Sequence, residues 1–192
     1  MSNLWDIGEL RGSDAIVMPG ETMPAVFWNA VERRAGQVWL REKHLGIWRS
    51  WRWTEVGDAV REIAHGLLAL GFERGETVSI LANTVVEWVL ADLAVLSAGG
   101  VSSGIYPTDA AAQVQYLCED SRSVVLFVED EEQLDKALEV RDRLPMLRKI
   151  VVFDMEGLHN LDDPAIIGLD ALRALGREHL AAHREELRAR WQ

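Results

Sequence analysis

The stretch Gly75–Leu117, GETVSILANTVVEWVLADLAVLSAGGVSSGIYPTDAAAQVQYL, decides the fold. Thr77–Ala82 is short, β-branched and apolar, and is bounded by Gly75 and Asn83, so it reads as a buried strand. Val85–Ala98 is apolar almost throughout but contains Glu87 and Asp92. It is too short to span a bilayer, which takes about 20 apolar residues, and it reads as a buried helix. Val101–Tyr106 is a second strand, after which Asp109 caps a helix reaching about Glu119. Short strands that are hydrophobic on both faces, alternating with helices, predict a parallel sheet covered on both sides.

Downstream the alternation continues, with a strand at Val124–Val128, a helix at Glu131–Arg143 capped by Asp130, and a last strand at Lys149–Phe153. Met155–Gly168 reads as a loop, Leu169–Leu175 as a short helical piece broken at Gly176, and 177–192 as a charged final helix, a surface element or connector. Upstream, Thr54 caps a helix whose apolar stripe is Val56, Val60, Ile63, Ala64, Leu67 and Leu68. Gly71 stops it and Phe72 folds back on its last turn. Gln37–Glu42 and Ile47–Trp53 form a hairpin turning at Lys43–Gly46. Met23–Ala35 is a helix capped by Thr22, with Pro24 in its first turn. Residues 1–22 read as an extended lead-in. The expectation over 1–192 is one α/β domain, a doubly wound, mainly parallel sheet flanked by helices, with an N-terminal β-hairpin.

Composition narrows the function. A formal charge of −11 opposes nucleic-acid binding, which requires cations against phosphate, and weakly opposes anionic membranes. The apolar fraction of 48% suffices for a core. A single cysteine, Cys118, allows no internal disulfide and fits a reducing compartment. No basic segment followed by a long apolar run marks a secretory leader, and no transmembrane segment is evident, so a cytoplasmic protein is expected.

Asn83-Thr84 and Tyr106-Pro107-Thr108-Asp109 lie at the carboxyl ends of predicted parallel strands, where such folds bind ligands. Asn83 and Asp109 also suit helix N-caps, and Pro107 stiffens its turn. Other features have plainer readings. Gly99-Gly100 and Gly104 follow a helix, whereas a dinucleotide loop follows a strand, so they read as a helix stop and close packing. Trp39, Trp48, Trp51 and Trp53 alternate with Arg41, Arg49 and Arg52 at strand spacing and read as hairpin packing rather than a nucleic-acid platform. Glu129–Glu132 suits a helix start better than a metal site. Cys118, among helix apolars, reads as a buried small residue. His179 and His183, four apart with Glu178 and Glu186 nearby, hold zinc only if a further ligand arrives, and otherwise form a solvated face.

The motifs Gly66-Leu67-Leu68-Ala69-Leu70-Gly71, Ala82-Asn83, Glu87-Trp88, Gly104-Ile105-Tyr106-Pro107-Thr108 and Val128-Glu129, within Trp53–Phe153, resemble the N-terminal region of AMP-forming acyl-CoA synthetases. The likeness is to bacterial long-chain fatty acid–CoA ligases of the adenylate-forming superfamily. It implies part of that family's N-terminal domain and, for the whole enzyme, formation of an acyl-adenylate from a fatty acid and ATP with Mg2+, then transfer to CoA. It also implies that Asn83, Tyr106, Pro107 and Thr108 lie near the acyl and pantetheine channel. Val85 departs from the family pattern, in which arginine often follows the asparagine. The family's Gly/Ser/Thr-rich phosphate loop ending in Pro-Lys-Gly is not found up to Gln192. No catalytic or metal residue is therefore assigned, no cofactor is expected for this chain by itself, and the expected partner is the C-terminal remainder of the ligase. The alternatives are a self-sufficient, non-enzymatic α/β binding or interaction module, and a subunit that completes its site with another chain.

Overall fold

A computed structural model describes residues 21–191, so the expected lead-in lies outside the described residues except for Glu21 and Thr22. Helix α1 (Met23–Arg34) starts as its sequence dictates, with the Thr22 hydroxyl accepting the Ala25 N–H at 3.2 Å and Pro24 in the first turn. Strands β1 (Val38–His44) and β2 (Ile47–Arg52) form the expected antiparallel hairpin. Its turn is tighter than predicted. Only Leu45 and Gly46 connect the strands, at φ +47° and +83°, the left-handed pair that matches strand twist. Trp39 stacks on Trp53 with centroids 4.0 Å apart, and Arg49 lies over Trp51, so the tryptophan–arginine alternation builds hairpin packing.

Helix α2 (Trp53–Ala69) begins ahead of the expected Thr54 cap. Arg52 is the N-cap because the Glu55 carboxylate reaches back to its N–H at 2.6 Å, while the Thr54 hydroxyl donates to the Ala35 carbonyl. Val56, Val60, Ile63, Ala64 and Leu67 are wholly buried. Gly71, at φ +79°, ends the helix, and the Phe72 N–H returns to the Leu67 carbonyl at 3.0 Å.

The main sheet holds β3 (Thr77–Leu81), β4 (Val101–Ile105), β5 (Ser123–Val128), β6 (Lys149–Val152) and β7 (Ile166–Gly168), all parallel, in the order β4-β3-β5-β6-β7. Helix α3 (Val86–Ser97) joins α1 and α2 in covering the face that carries Val78, Ile80, Val125, Phe127 and Val151. Helices α4 (Ala111–Asp120) and α5 (Glu131–Val140) close the opposite face over Leu81, Ile105, Leu126, Val128 and Ile150. This is the doubly wound arrangement with its hairpin that the alternation predicts. The glycines after α3 serve close packing, since a Cβ on Gly100 would sit 2.4 Å from the Phe72 ring.

Four expectations about the C-terminal third fail. Lys149–Phe153 is not the last strand, because β7 follows from the predicted loop. Three residues are too few to show a period, and tertiary contacts place them. The Asp163 carboxylate accepts the Ala165 N–H at 2.8 Å and pairs with Arg141, and the Ala165 carbonyl then accepts the Ile150 N–H. α5 gives way to a 3-10 turn at Arg141–Arg143 rather than continuing regularly.

Gly176 does not break its helix either. α6 runs unbroken from Leu169 to Ala182, and Gly176 is where it crosses α2 backbone to backbone; a Cβ there would sit 1.8 Å from the Glu62 carbonyl oxygen. The expected single charged helix over 177–192 is instead the end of α6, a break at His183, and α7 (Glu186–Trp191). Part of this region packs inward while most of its charges stay exposed. Arg173 and Arg177 both bond the Glu62 carboxylate, Leu187 is buried, and Trp191 stacks on Trp28.

Candidate functional site

Strands β3 and β5 are neighbours, yet the chain leaves β3 through α3 on one face and β5 through α5 on the other. That divergence opens a crevice at their carboxyl ends, where doubly wound sheets bind ligands. Here it is a cleft of about 350 Å³ lined by Glu42 and Arg49 of the hairpin, Val85 and Glu87 at the start of α3, Glu129 and Asp130 after β5, and Phe153 and Asp154 after β6.

Asn83 stands at this switch point but is not the N-cap of α3, as its position suggests; that place falls to Val85. The Glu129 carboxylate explains the difference. One oxygen accepts both the Asn83 backbone N–H at 2.6 Å and its side-chain amide at 2.9 Å, which occupies the Asn83 side chain and ties the end of β3 to the end of β5. In the sequence Glu129 reads as part of an acidic helix start and of the Val128-Glu129 motif, and neither announces this tie. Asp130 caps α5, accepting the Gln133 N–H at 3.1 Å, and Glu131 and Glu132 make up its acidic first turn. The available hint was Glu129's place right after a strand running parallel to β3.

Tyr106, Pro107 and Thr108 follow β4, whose Ile105 is paired with Leu81, so their turn begins level with the Asn83 segment. The Asp109 N–H closes the turn on the Tyr106 carbonyl at 3.0 Å with Pro107 at its second position, as expected of a stiff turn. Lys136 of α5 donates to the Pro107 carbonyl at 2.6 Å, and Tyr106 is 77% exposed. Asp109 is not the cap of α4, which starts after Ala110 with Gln113 reaching back to the Ala110 N–H. Asn83 and the Tyr106–Thr108 turn thus share one end of the sheet, but neither lines the cleft.

Five carboxylates face one guanidinium around the cleft. Burial raises the pKa of Glu87, and the nearby Glu42 and Glu129 add to that while Arg49 opposes it. These residues do not fit a nucleotide triphosphate, whose charge calls for cations and N–H donors. Nor are they arranged as a magnesium cage, since Glu129 is bound to Asn83 and Asp130 caps α5. Cys118 is buried, and burial pushes its thiol up to about 11, so it carries no nucleophilic role. No helix among the described residues is long and apolar enough to cross a membrane.

Known proteins match this architecture. Residues 15–179 match the AMP-binding enzyme family. A long-chain-fatty-acid–CoA ligase of Xenopus laevis is 32% identical over 147 residues, which cover 77% of this chain and 20% of that protein. A long-chain-fatty-acid–CoA ligase of Mycobacterium bovis is 34% identical over 117 residues, 61% of this chain and 20% of its own length. The chain therefore spans about a fifth of the length of these relatives. Among solved structures, the anthranilate CoA ligase AuaEII in complex with anthranoyl-AMP superposes with a TM-score of 0.69 at 22% identity, covering 79% of this chain and 27% of that one. Acetoacetyl-CoA synthetase from Streptomyces lividans gives 0.68 at 24% identity, over 77% of this chain and 24% of that one, and both likenesses speak to the fold alone. On a family match running through most of its length, laid over the doubly wound sheet that its sequence predicts, this chain belongs to the AMP-binding enzyme family.

Proposed function

We propose that the chain supplies the N-terminal share of a cytoplasmic long-chain fatty acid–CoA ligase and does not form an acyl-adenylate by itself. The observation that carries this reading is the 32% identity over most of this chain to one fifth of a long-chain-fatty-acid–CoA ligase. The cleft supports it, because an acid-rich crevice leaves the binding of ATP and Mg2+ to residues outside this span. On this reading residues 1–192 form one domain. Its stiff β4 turn at Tyr106, Pro107 and Thr108, beside Asn83, forms wall for the fatty acyl chain and CoA rather than reacting groups. The C-terminal remainder of the ligase is its partner.

The test is fatty-acid-dependent ATP–pyrophosphate exchange by the 192-residue chain, together with the intact mass of the native gene product. No exchange and a native mass well above 21.6 kDa are expected. Exchange by this chain alone would overturn the reading. A second reading, a self-sufficient binding or interaction module, is favoured by the closed cores on both sheet faces. It requires a native product of 21.6 kDa that unfolds in one cooperative transition.

A further inference from the structure

Remote from the strand ends, the corner between α6 and α7 gathers side chains that neither reading employs. One ligand atom each from His179, His183 and Glu186 lies within 4.8 Å of the others, and His179 Nε2 is 3.8 Å from Glu186 Oε2. The helix break creates this group. In an unbroken helix Glu186 would sit seven residues along from His179, roughly 10 Å up the axis. Because α6 stops at Ala182, the chain turns and α7 carries Glu186 back. His183 is exposed as a solvated helix face would have it, while His179 is half-buried against His65 and Glu186 comes beside it.

We propose that His179, His183 and Glu186 form a three-ligand site for a divalent ion of the zinc class, with His65 of α2 as the positioning residue for His179. The ring nitrogens are sorted for it. His183 Nδ1 lies 3.1 Å from the His179 carbonyl, to which its N–H donates. His179 Nδ1 lies 3.0 Å from His65 Nδ1. Each ligand imidazole thus has one nitrogen engaged and Nε2 free, the arrangement that orients histidines on metals. Arg190 bonds Glu186 through Oε1, leaving Oε2 toward the histidines.

His65 supplies the second observation. It is wholly buried, and among the described residues its Nε2 has no hydrogen-bond partner, so His179 is its one polar contact there. As the acceptor of a His179 Nδ1–H it fixes the tautomer that turns the Nε2 lone pair outward. A tetrahedral zinc with bonds of about 2.1 Å separates its ligands by roughly 3.4 Å. Closing from 4.8 Å asks for rotations on the order of 1 Å, within reach of the exposed His183 and half-buried Glu186. Two imidazoles and a carboxylate suit zinc or cobalt and leave a fourth position for water.

The test is titration of the chelator-treated 192-residue chain with Co2+, read by visible absorption, and with Zn2+, read by calorimetry. One equivalent should bind with a tetrahedral cobalt spectrum, and Zn2+ should raise Tm. His183→Ala, at an exposed position, and Glu186→Gln, which keeps an acceptor for Arg190, should each weaken Zn2+ binding at least tenfold. His159→Ala, on a distant exposed loop, should leave it unchanged. No stoichiometric binding, or binding unaltered in both ligand variants, would overturn the site. Neither readout depends on ligase activity, so the site and the ligase reading fail separately.

Discussion

Replacing Gly176 by alanine tests how α6 is held. The new Cβ would lie 1.8 Å from the Glu62 carbonyl oxygen, 2.7 Å from its carbon and 2.8 Å from the Gly66 nitrogen. All three are backbone atoms of α2, so no side chain can swing aside. Restoring ordinary contact requires the helices to part by about 1.5 Å, and a gap of even 0.5–1 Å forfeits roughly a quarter to a half of the dispersion attraction. Leu172, wholly buried, and the Arg173–Glu62 pair at 2.8 Å sit on the same interface and lose contact with it. Overpacking costs about 1–3 kcal/mol, and a rigid neighbour places this case at the upper end. Alanine's better helix propensity returns about 1 kcal/mol. The net expectation is a loss of about 2 kcal/mol, or a Tm lower by roughly 4–8 °C for a chain of this size. Thermal and urea unfolding of Gly176→Ala should show it. Gly36→Ala is the control, since a Cβ there meets nothing within 4 Å. A Gly176→Ala chain as stable as the parent would refute the close crossing.

Two further outcomes are expected. In a double-mutant cycle of Asn83→Ala and Glu129→Gln, urea unfolding should give a coupling of about 1 kcal/mol, because one carboxylate oxygen serves both Asn83 donors; additive effects would mean that the strand ends are not tied. Leu45→Asn should raise stability by about 1 kcal/mol, since Leu45 is 88% exposed and holds a left-handed conformation that asparagine tolerates better. A lower Tm would show that the Leu45 side chain contributes packing.

Elements with strong local signals were legible in advance. Thr22 with Pro24, the α2 stripe from Val56 to Leu68, Gly71 with Phe72, and Asp130 all do what their chemistry dictates. Strands β3, β5 and β6 were legible because burial on both faces leaves a nearly continuous apolar run. Pro107 announced its turn. The caps were less legible. Asn83, Thr54 and Asp109 each have the right side chain for an N-cap, and each was outcompeted. Glu129 claimed Asn83 from across the sheet, Glu55 reached back to Arg52, and Gln113 reached back to Ala110.

Sequence alone determined the class of this protein, because periodicity and local capping are properties of neighbouring residues and the family motifs lie in one continuous stretch. It also set the net charge of −11 that opposes phosphate binding. Tertiary structure decided what depends on distant partners. It placed β7 through Arg141 and Asp163 and turned Gly176 from a stop into a crossing point through Glu62. It also brought His65 from α2 against His179, 114 residues away, beside a Glu186 that a broken helix returns. No short window of sequence contains His65 with His179 or Glu62 with Gly176, since those contacts arise only when α2 and α6 meet.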